Sequence, residues 1–198
     1  MNIRHILVTL LIAMALSCSA QQLPAPTTTG GMPLMDAVQK RASIRNIDPN
    51  SSVSMQDLSN MLWAAWGITH DGKRAIATAM NRQELVLYVI TADRIALYDA
   101  DQNTLTTVNT GDFRDICARQ DWAKTAPINI ALVVDTTKQP RPEFQNYTAG
   151  AASHAIYLYC ASVGLKTVVR AMLEAPELEK AMKLPADQHV LYVQTVGK

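Results

Sequence analysis

Two nearly uninterrupted apolar segments, ELVLYVIT at residues 84–91 and INIALVVDT at 128–136, restrict the folds open to this chain. Both are rich in β-branched and aromatic residues, which favours strands, so we predict two buried strands. A third apolar segment, residues 145–164, is long enough for a helix and ends at Gly164, a residue that commonly terminates helices. A sheet with at least two buried strands and a long packed helix is therefore expected.

The remaining periodic segments add helices and shorter strands. Residues 55–66 form the best-marked helix, because Ser54 and Asp57 make a capping box and Gly67 supplies a stop. The other predicted elements are helices at 33–41, 112–120 and 175–182, a hairpin at 95–108 and a last strand at 189–196. Helix pairs combined with strands distant in sequence indicate an α+β fold rather than a doubly wound parallel sheet.

Residues 1–20 are predicted to be an export signal. A positive start at Arg4 precedes the uncharged run ILVTLLIAMAL and the small residues SCSA. The run is too short to span a membrane. Two processing routes stay open: ordinary cleavage after Ala20, or cleavage before Cys18 with a lipid anchor on its sulfur. Alanine stands three residues before Cys18, where leucine is usual, which favours the first route.

Residues 21–32 are rich in Pro, Thr and Gly, which predicts a flexible tether. The globular domain is then expected to cover residues 33–198, exported to the bacterial periplasm or cell envelope. Beyond the predicted signal, Cys117 and Cys160 are the remaining cysteines; we expect buried thiols, with a disulfide as the alternative.

Composition and motifs exclude several classes of protein. A net charge of +1 gives no broad field for nucleic acid or an acidic membrane. The four histidines show no zinc-site spacing, so no metal is expected. The sequence also contains no GxSxG, no P-loop and no GxGxxG.

The segment RASIR, residues 41–45, places two guanidinium groups around a hydroxyl. Arg41, Ser43 and Arg45 suit a phosphate, because charge-assisted and bidentate hydrogen bonds favour that group. The alternative is structural, since basic residues collect at helix C-termini for ordinary reasons.

Two further stretches place polar or charged residues next to apolar segments, where a functional role is one explanation. In ATAMNRQELVLYVI, residues 77–90, Thr78, Asn81 and Gln83 run directly into a strand. Amide groups of this kind can hydrogen-bond a planar heterocycle, although a polar loop entering a sheet would look the same. In GLKTVVRAM, Arg170 lies in an apolar neighbourhood, either as a functional charge or as a surface arginine.

Taken together, the three stretches resemble the nitroreductase family of flavin enzymes over nearly all of residues 33–197. The similarity is closest to the branch that contains the flavin dehydrogenases of thiazole- and oxazole-forming peptide biosynthesis. That branch shows LWAA-G-I, then GKR, then PSAxNxQ running into a strand, and this chain has LWAAWGITHDGKR and ATAMNRQELVLYV. The resemblance implies an FMN cofactor, a mixed and mainly antiparallel sheet flanked by helices, and a homodimer with flavin at its interface.

The resemblance also implies a set of cofactor-binding residues. RASIR matches the family's RRSxR motif, which would hold the phosphate and ribityl end of FMN. The polar loop that contains Thr78, Asn81 and Gln83 would face the flavin from the second subunit. The segment around Arg170 would run along the isoalloxazine ring. The residues concerned are Arg41, Ala42, Ser43, Arg45, Thr78, Asn81, Gln83, Val169, Arg170 and Ala171. We further hypothesise that the charge of Arg170 stabilises anionic reduced flavin.

Two functions follow as expectations. The first is an FMN-dependent oxidoreductase that reduces small nitroaromatic, quinone or enone acceptors by ping-pong hydride transfer, with NAD(P)H as one candidate donor. No catalytic side chain is assigned, because the flavin itself carries the hydride. The alternative is an exported, non-catalytic flavin or small-molecule binding protein on the same fold, favoured by the departures from the family at Ala77, Ala171 and the chain end at Lys198.

Overall fold

The computed structural model describes residues 20–198, and the predicted export signal and Cys18 lie outside this range except for Ala20. Seven strands form one sheet in the order β1-β4-β3-β2-β5-β7-β6, and every adjacent pair is antiparallel. The strands are β1 (Ala20–Gln22), β2 (Leu85–Ile90), β3 (Arg94–Asp99), β4 (Thr104–Thr110), β5 (Ile128–Asp135), β6 (Lys166–Arg170) and β7 (Gln188–Gly197). The predicted α+β class with a mainly antiparallel sheet is confirmed.

Within residues 20–198, five α-helices flank the sheet. They are α1 (Leu34–Lys40), α2 (Met55–Trp66), α3 (Asp121–Lys124), α4 (Pro142–Val163) and α5 (Ala175–Ala181). Two 3₁₀ turns, His70–Gly72 and Ala79–Asn81, lie between α2 and β2. In residues 20–198 we find no helix that combines the length and apolarity needed to cross a membrane.

The apolar strands are buried on both faces, which explains why they lack alternation. Along β2, Leu85, Leu87 and Val89 join the core beneath α2 and α4, whereas Tyr88 and Ile90 join a second core beneath α5. Strand β5 divides its side chains between the same two cores. Because burial of apolar area is the main stabilising term in folding, the two strands predicted first are also the centre of the fold.

The ends of the two long helices follow the expected rules. Ser54 accepts a hydrogen bond from the backbone of Asp57 at the start of α2, and Gly164 ends α4 in the left-handed conformation, with φ of 76°. At Gly67 the requirement for glycine is steric, because a Cβ there would lie 2.3 Å from Cδ1 of Trp63. Beside it, the Trp63 indole donates to the carbonyl of Ile68 at 2.9 Å.

The prediction of a flexible tether at residues 21–32 is wrong for its first part. Residues Ala20–Gln22 form β1 against β4, and Leu23 is buried. The carbonyl of Pro24 accepts hydrogen bonds from Ser59 of α2 and from Asn103. Polar groups of α2 and of the β3–β4 hairpin thus satisfy the carbonyl of Pro24, so residues 20–24 pack against the domain instead of forming a free tether.

The short helix predicted at residues 112–120 is also wrong. Asp112 binds the backbone and guanidinium of Arg114, and the same guanidinium donates to the carbonyls of Thr125 and Ala126. These contacts stabilise a series of turns instead of a helix and bring Cys117 into the second core. Cys117 and Cys160 are both buried free thiols, as preferred from the sequence.

Candidate functional site

The RASIR segment begins where α1 ends and continues in extended form. Arg41 is the C-terminal cap of α1, and its guanidinium carbon lies 5.5 Å from the centre of the Tyr157 ring. The Ser43 hydroxyl is 2.8 Å from the Tyr157 hydroxyl. Tyr157 belongs to α4 and is 7% exposed, so this helix provides a fixed support for the segment.

The same tyrosine joins the segment to the start of the predicted ring-contact stretch. The backbone N–H of Val169 donates to the Tyr157 hydroxyl at 3.0 Å. Beside it, the N–H of Ile44 donates to the carbonyl of Thr167 at 3.0 Å, so residues 43–44 lie against β6. Two of the three stretches selected from the sequence therefore meet around one hydroxyl group.

Arg41 and Arg45 have no carboxylate partner among residues 20–198, although most other arginines of this part of the chain form ion pairs or hydrogen bonds. Arg45 and Ser43 are exposed, and Arg41 is half-buried. Two uncompensated arginines that flank a serine in the sequence suit a dianionic group of a ligand. The residues present thus fit the phosphate end of a flavin mononucleotide.

The Thr78–Gln83 loop is organised by its own side chains. The Thr78 hydroxyl accepts the backbone N–H of Gln83 at 3.1 Å, and the Gln83 amide donates to Oδ1 of Asn81 at 3.1 Å. Met80, Asn81 and Gln83 all have positive φ, at 55°, 53° and 50°. This conformation is unfavourable for residues with a Cβ and is typical of functional loops whose shape is imposed by their surroundings.

Arg74, from the GKR stretch, fixes the amide of Gln83. Its Nε donates to Oε1 of Gln83 at 3.0 Å, and its guanidinium stacks over Trp66 with a separation of 5.2 Å. The loop borders two open clefts of about 530 and 460 Å³, the first beside Arg74 and Asn81 and the second beside an aromatic pair. That pair is Phe144 and Tyr147, both from the first turns of α4.

The two polar clusters lie at different ends of α4. The loop with Thr78 shares a cleft with Phe144, whereas Ser43 contacts Tyr157, 13 residues further along the helix. At 1.5 Å per residue this separates them by about 20 Å in one subunit. The structure therefore unites RASIR with β6, but it does not unite either of them with the Thr78–Gln83 loop inside one subunit.

The side chain of Arg170 points into the protein interior and not toward the proposed flavin site. Its side chain is 6% exposed and donates to the carbonyl of Cys117, to Asn129 and to Thr195. Desolvation by burial lowers the pKa of Arg170 to about 10, so it stays charged at neutral pH. The guanidinium connects β6 to β5, β7 and the 112–120 turns, so the expectation that its charge faces a flavin edge is corrected.

The small residues of the motifs are compatible with their positions. Ala42 and Ala171 are exposed, and Val169 is half-buried. Ala171 is not among the residues of positive φ, so the alanine found where the family often has glycine requires no backbone strain. Among residues 20–198 no group of three metal-binding side chains is found.

Tyr157 and Arg74 are the site residues that the sequence reasoning did not select. Tyr157 lies in the apolar segment of α4, where the pattern predicts a buried core aromatic. The local sequence therefore gives no indication that its hydroxyl has a functional role. Arg74 belongs to the GKR stretch, but its partner Gln83 is nine residues away, beyond the reach of a local pattern.

Comparison with known proteins settles the family. The chain matches the Nitroreductase family over residues 38–198, which is most of its length. The chain belongs to the nitroreductase family. Family membership and the structural neighbours support a flavin oxidoreductase in general terms. Among curated proteins no match is found.

Solved structures agree with this assignment. A protein from Ralstonia eutropha JMP134, described as a nitroreductase, is 32% identical, with a TM-score of 0.84 over 90% of this chain and 89% of its own. The Escherichia coli microcin synthetase McbBCD complex, with truncated pro-MccB17 bound, shares the fold at 14% identity, with a TM-score of 0.69 over 88% of this chain and 76% of its own. A Desulfovibrio desulfuricans nitroreductase in complex with FMN shares it at 20% identity, with a TM-score of 0.64 over 85% and 87%.

Proposed function

We propose that this protein is an FMN-dependent oxidoreductase that reduces small organic acceptors of the nitroaromatic, quinone or enone class in a ping-pong cycle. One observation carries the proposal: the uncompensated Arg41 and Arg45 bracket Ser43, and Ser43 is joined through Tyr157 to the backbone of Val169. A cationic site for a phosphate thus continues into a strand against which a ring can lie. The FMN bound to the Desulfovibrio desulfuricans relative is consistent with this cofactor.

The residues have separate tasks in this proposal. Arg41 and Arg45 would bind the phosphate, Ser43 would donate to a phosphate or ribityl oxygen, and the backbone from Val169 to Ala171 would lie along the ring. Bound FMN would supply the group that accepts and releases hydride. The protein then needs no acid or base side chain of its own at the reacting atoms.

A homodimer would complete the site. The two polar clusters lie about 20 Å apart along α4, and large apolar side chains are exposed near both. They are Leu34, Met35, Val38, Met80 and Tyr147. Exposed apolar side chains in such number are typical of an interface, and a second subunit would bring its Thr78 and Asn81 to the first subunit's ring. Size-exclusion chromatography with light scattering tests this, because a monomer that holds flavin tightly would contradict it.

The test of the cofactor is direct. Protein purified with added FMN should show flavin absorbance that dithionite bleaches and that a quinone or nitroaromatic acceptor restores. Arg41→Ala and Arg45→Ala should lose FMN retention with little change in stability, since Arg45 is exposed, Arg41 is only half-buried, and solvent-accessible side chains seldom contribute much. Arg119→Ala, which removes an exposed arginine paired with Glu174, is the matched control. Unchanged FMN binding in both test variants would refute the phosphate assignment.

The same experiment separates the enzyme from the non-catalytic binder. Because dithionite reduces the flavin directly, the assay does not depend on the identity of the physiological donor. NAD(P)H is one candidate donor, as the names of the NADH oxidase and NAD(P)H nitroreductase relatives suggest. For the enzyme, reduced protein should reoxidise with acceptor faster than free reduced FMN does. Equal rates would favour the binder.

We also propose that the protein is exported to the periplasm or cell envelope, on the strength of the signal-like residues 1–20. Cleavage after Ala20 would leave Gln21 to Leu23, which contact the domain, on the mature chain. The intact mass of the protein from membrane and periplasmic fractions distinguishes this cut from a lipid on Cys18. An uncut cytoplasmic protein would refute export.

A further inference from the structure

We propose that Tyr157 is a positioning residue that couples the phosphate-binding segment to the ring-contact strand of the flavin site. The inference rests on the proposed function, and it assigns a task to a residue that no motif marks. Tyr157 touches three elements at once: the guanidinium of Arg41 through its ring face, Ser43 through its hydroxyl, and the backbone of Val169 through the same hydroxyl.

The hydrogen bonds around this hydroxyl have a preferred direction. The N–H of Val169 can only donate, so the Tyr157 oxygen accepts from it at 3.0 Å. The hydroxyl hydrogen is then available to donate to Oγ of Ser43, 2.8 Å away. In this arrangement the hydrogen of Ser43 is not needed by Tyr157 and is free to donate to a ligand oxygen.

The ring of Tyr157 acts on the neighbouring arginine. A guanidinium 5.5 Å from a ring centre gains cation–π attraction, which restricts the directions the side chain can take. Since Arg41 has no carboxylate partner in the described chain, Tyr157 is the contact that orients it. Preorganisation of this kind raises affinity because less side-chain freedom is lost on binding.

A second tyrosine on the same helix provides a matched control. The Tyr159 hydroxyl donates to Asp57 at 2.8 Å and accepts from Asn60 at 3.2 Å, so it also has two partners. Those partners belong to α2, and neither is part of RASIR or β6. A purely structural tyrosine in α4 should therefore behave as Tyr159 does.

The experiment compares Tyr157→Phe, Tyr159→Phe, Ser43→Ala and the Ser43→Ala/Tyr157→Phe double variant for FMN and riboflavin affinity. We expect Tyr157→Phe to raise the Kd for FMN about tenfold, which corresponds to the usual net contribution of one to two hydrogen bonds. The visible circular dichroism of bound flavin should change as well, because Val169 loses its anchor. Tyr159→Phe should leave the Kd and the spectrum unchanged. The Ser43→Ala and Tyr157→Phe losses should be less than additive, since both remove one shared hydrogen bond.

The outcomes separate the two proposals. If the wild-type protein binds neither FMN nor riboflavin, the proposed function fails and this inference fails with it. If the wild type binds FMN but Tyr157→Phe matches Tyr159→Phe in affinity and spectrum, Tyr157 is ordinary core and the coupling is refuted. Additive losses of FMN affinity in the double variant also refute the coupling. This test holds even if Tyr157→Phe is less stable, because Ser43 is exposed and Ser43→Ala should leave folding intact.

Discussion

Replacing Arg170 by methionine should lower the free energy of unfolding by about 2–5 kcal/mol. The guanidinium donates to three groups, and bonds from a charged donor contribute about 1.5–3 kcal/mol each. Part of this is offset by the cost of burying the charge. Burial lowers the pKa of Arg170 from its ordinary value to about 10, and this fall corresponds to about 3 kcal/mol at about 1.36 kcal/mol per pH unit.

The size of the loss in unfolding free energy depends on whether the former hydrogen-bond acceptors of Arg170 find other partners. Thr195 and Asn129 keep their mutual hydrogen bond of 2.7 Å, so the carbonyl of Cys117 is the acceptor that loses its partner. Methionine fills the volume of the aliphatic stem but provides no donor. For a domain of this size the expected change corresponds to a Tm lower by about 5–15 °C.

Urea unfolding followed by far-ultraviolet circular dichroism measures the effect, with Arg119→Met as the control. Arg119 belongs to the same region but is exposed and pairs with Glu174 at the surface, so its loss should cost less than about 1 kcal/mol. Equal stability of the two variants would show that the buried arginine does not hold β6 to its neighbours. In Arg170→Met protein that retains flavin, the reduction potential should stay unchanged, because the charge is directed into the interior; a marked fall would restore the original hypothesis for Arg170.

Three further predictions address packing and titration. Gly67→Ala should cost about 1–3 kcal/mol and change tryptophan fluorescence, because the new Cβ meets Trp63 at 2.3 Å; unchanged stability would contradict the close approach. Leu23→Ala should cost about 2–4 kcal/mol, since Leu23 is 2% exposed, whereas a flexible tether would tolerate the change; thermal unfolding decides. Burial raises the pKa of the Cys117 and Cys160 thiols from 9.0 to about 12, so the stability they contribute is complete below pH 9 and is lost as pH rises toward 12. Urea titrations at about pH 8 and 11 should therefore show a smaller fall in stability for Cys160→Ala than for wild type.

The central elements could be predicted because their signals are local. The β2 and β5 segments are almost entirely apolar, and the capping box at Ser54 marks the start of α2. The same local rules failed at residues 21–27, where Pro and Thr suggested a tether. The backbone groups of that segment are satisfied by Ser59 and Asn103, which lie 35 and 79 residues from Pro24, so their contribution could not be read from the segment itself.

The sequence motifs propose which residues compose the candidate site, but they do not predict how the side chains are oriented. The motifs located Arg41, Ser43 and Asn81 because each lies in a short recognisable pattern. The pattern could not show which way Arg170 points, since that depends on Asn129 and Thr195, which are distant in sequence and join it only through the sheet register.

The interior placement of Arg170 changes how charge is distributed over the proposed pocket. With that guanidinium bonded inside the fold, the positive charge beside β6 comes from Arg41 and Arg45, at the end where RASIR leaves α1, and from Lys166, whose ammonium donates to the carbonyl of Asn46. The ring-contact end then offers backbone and small side chains, Val169 and Ala171, instead of a cation. Such a pocket distinguishes a ligand by its anionic tail, whereas its flat end imposes little polar selection. Discrimination between FMN and riboflavin should therefore be strong, and discrimination among planar acceptors weak, because the acceptor meets the end of the site that carries no fixed charge.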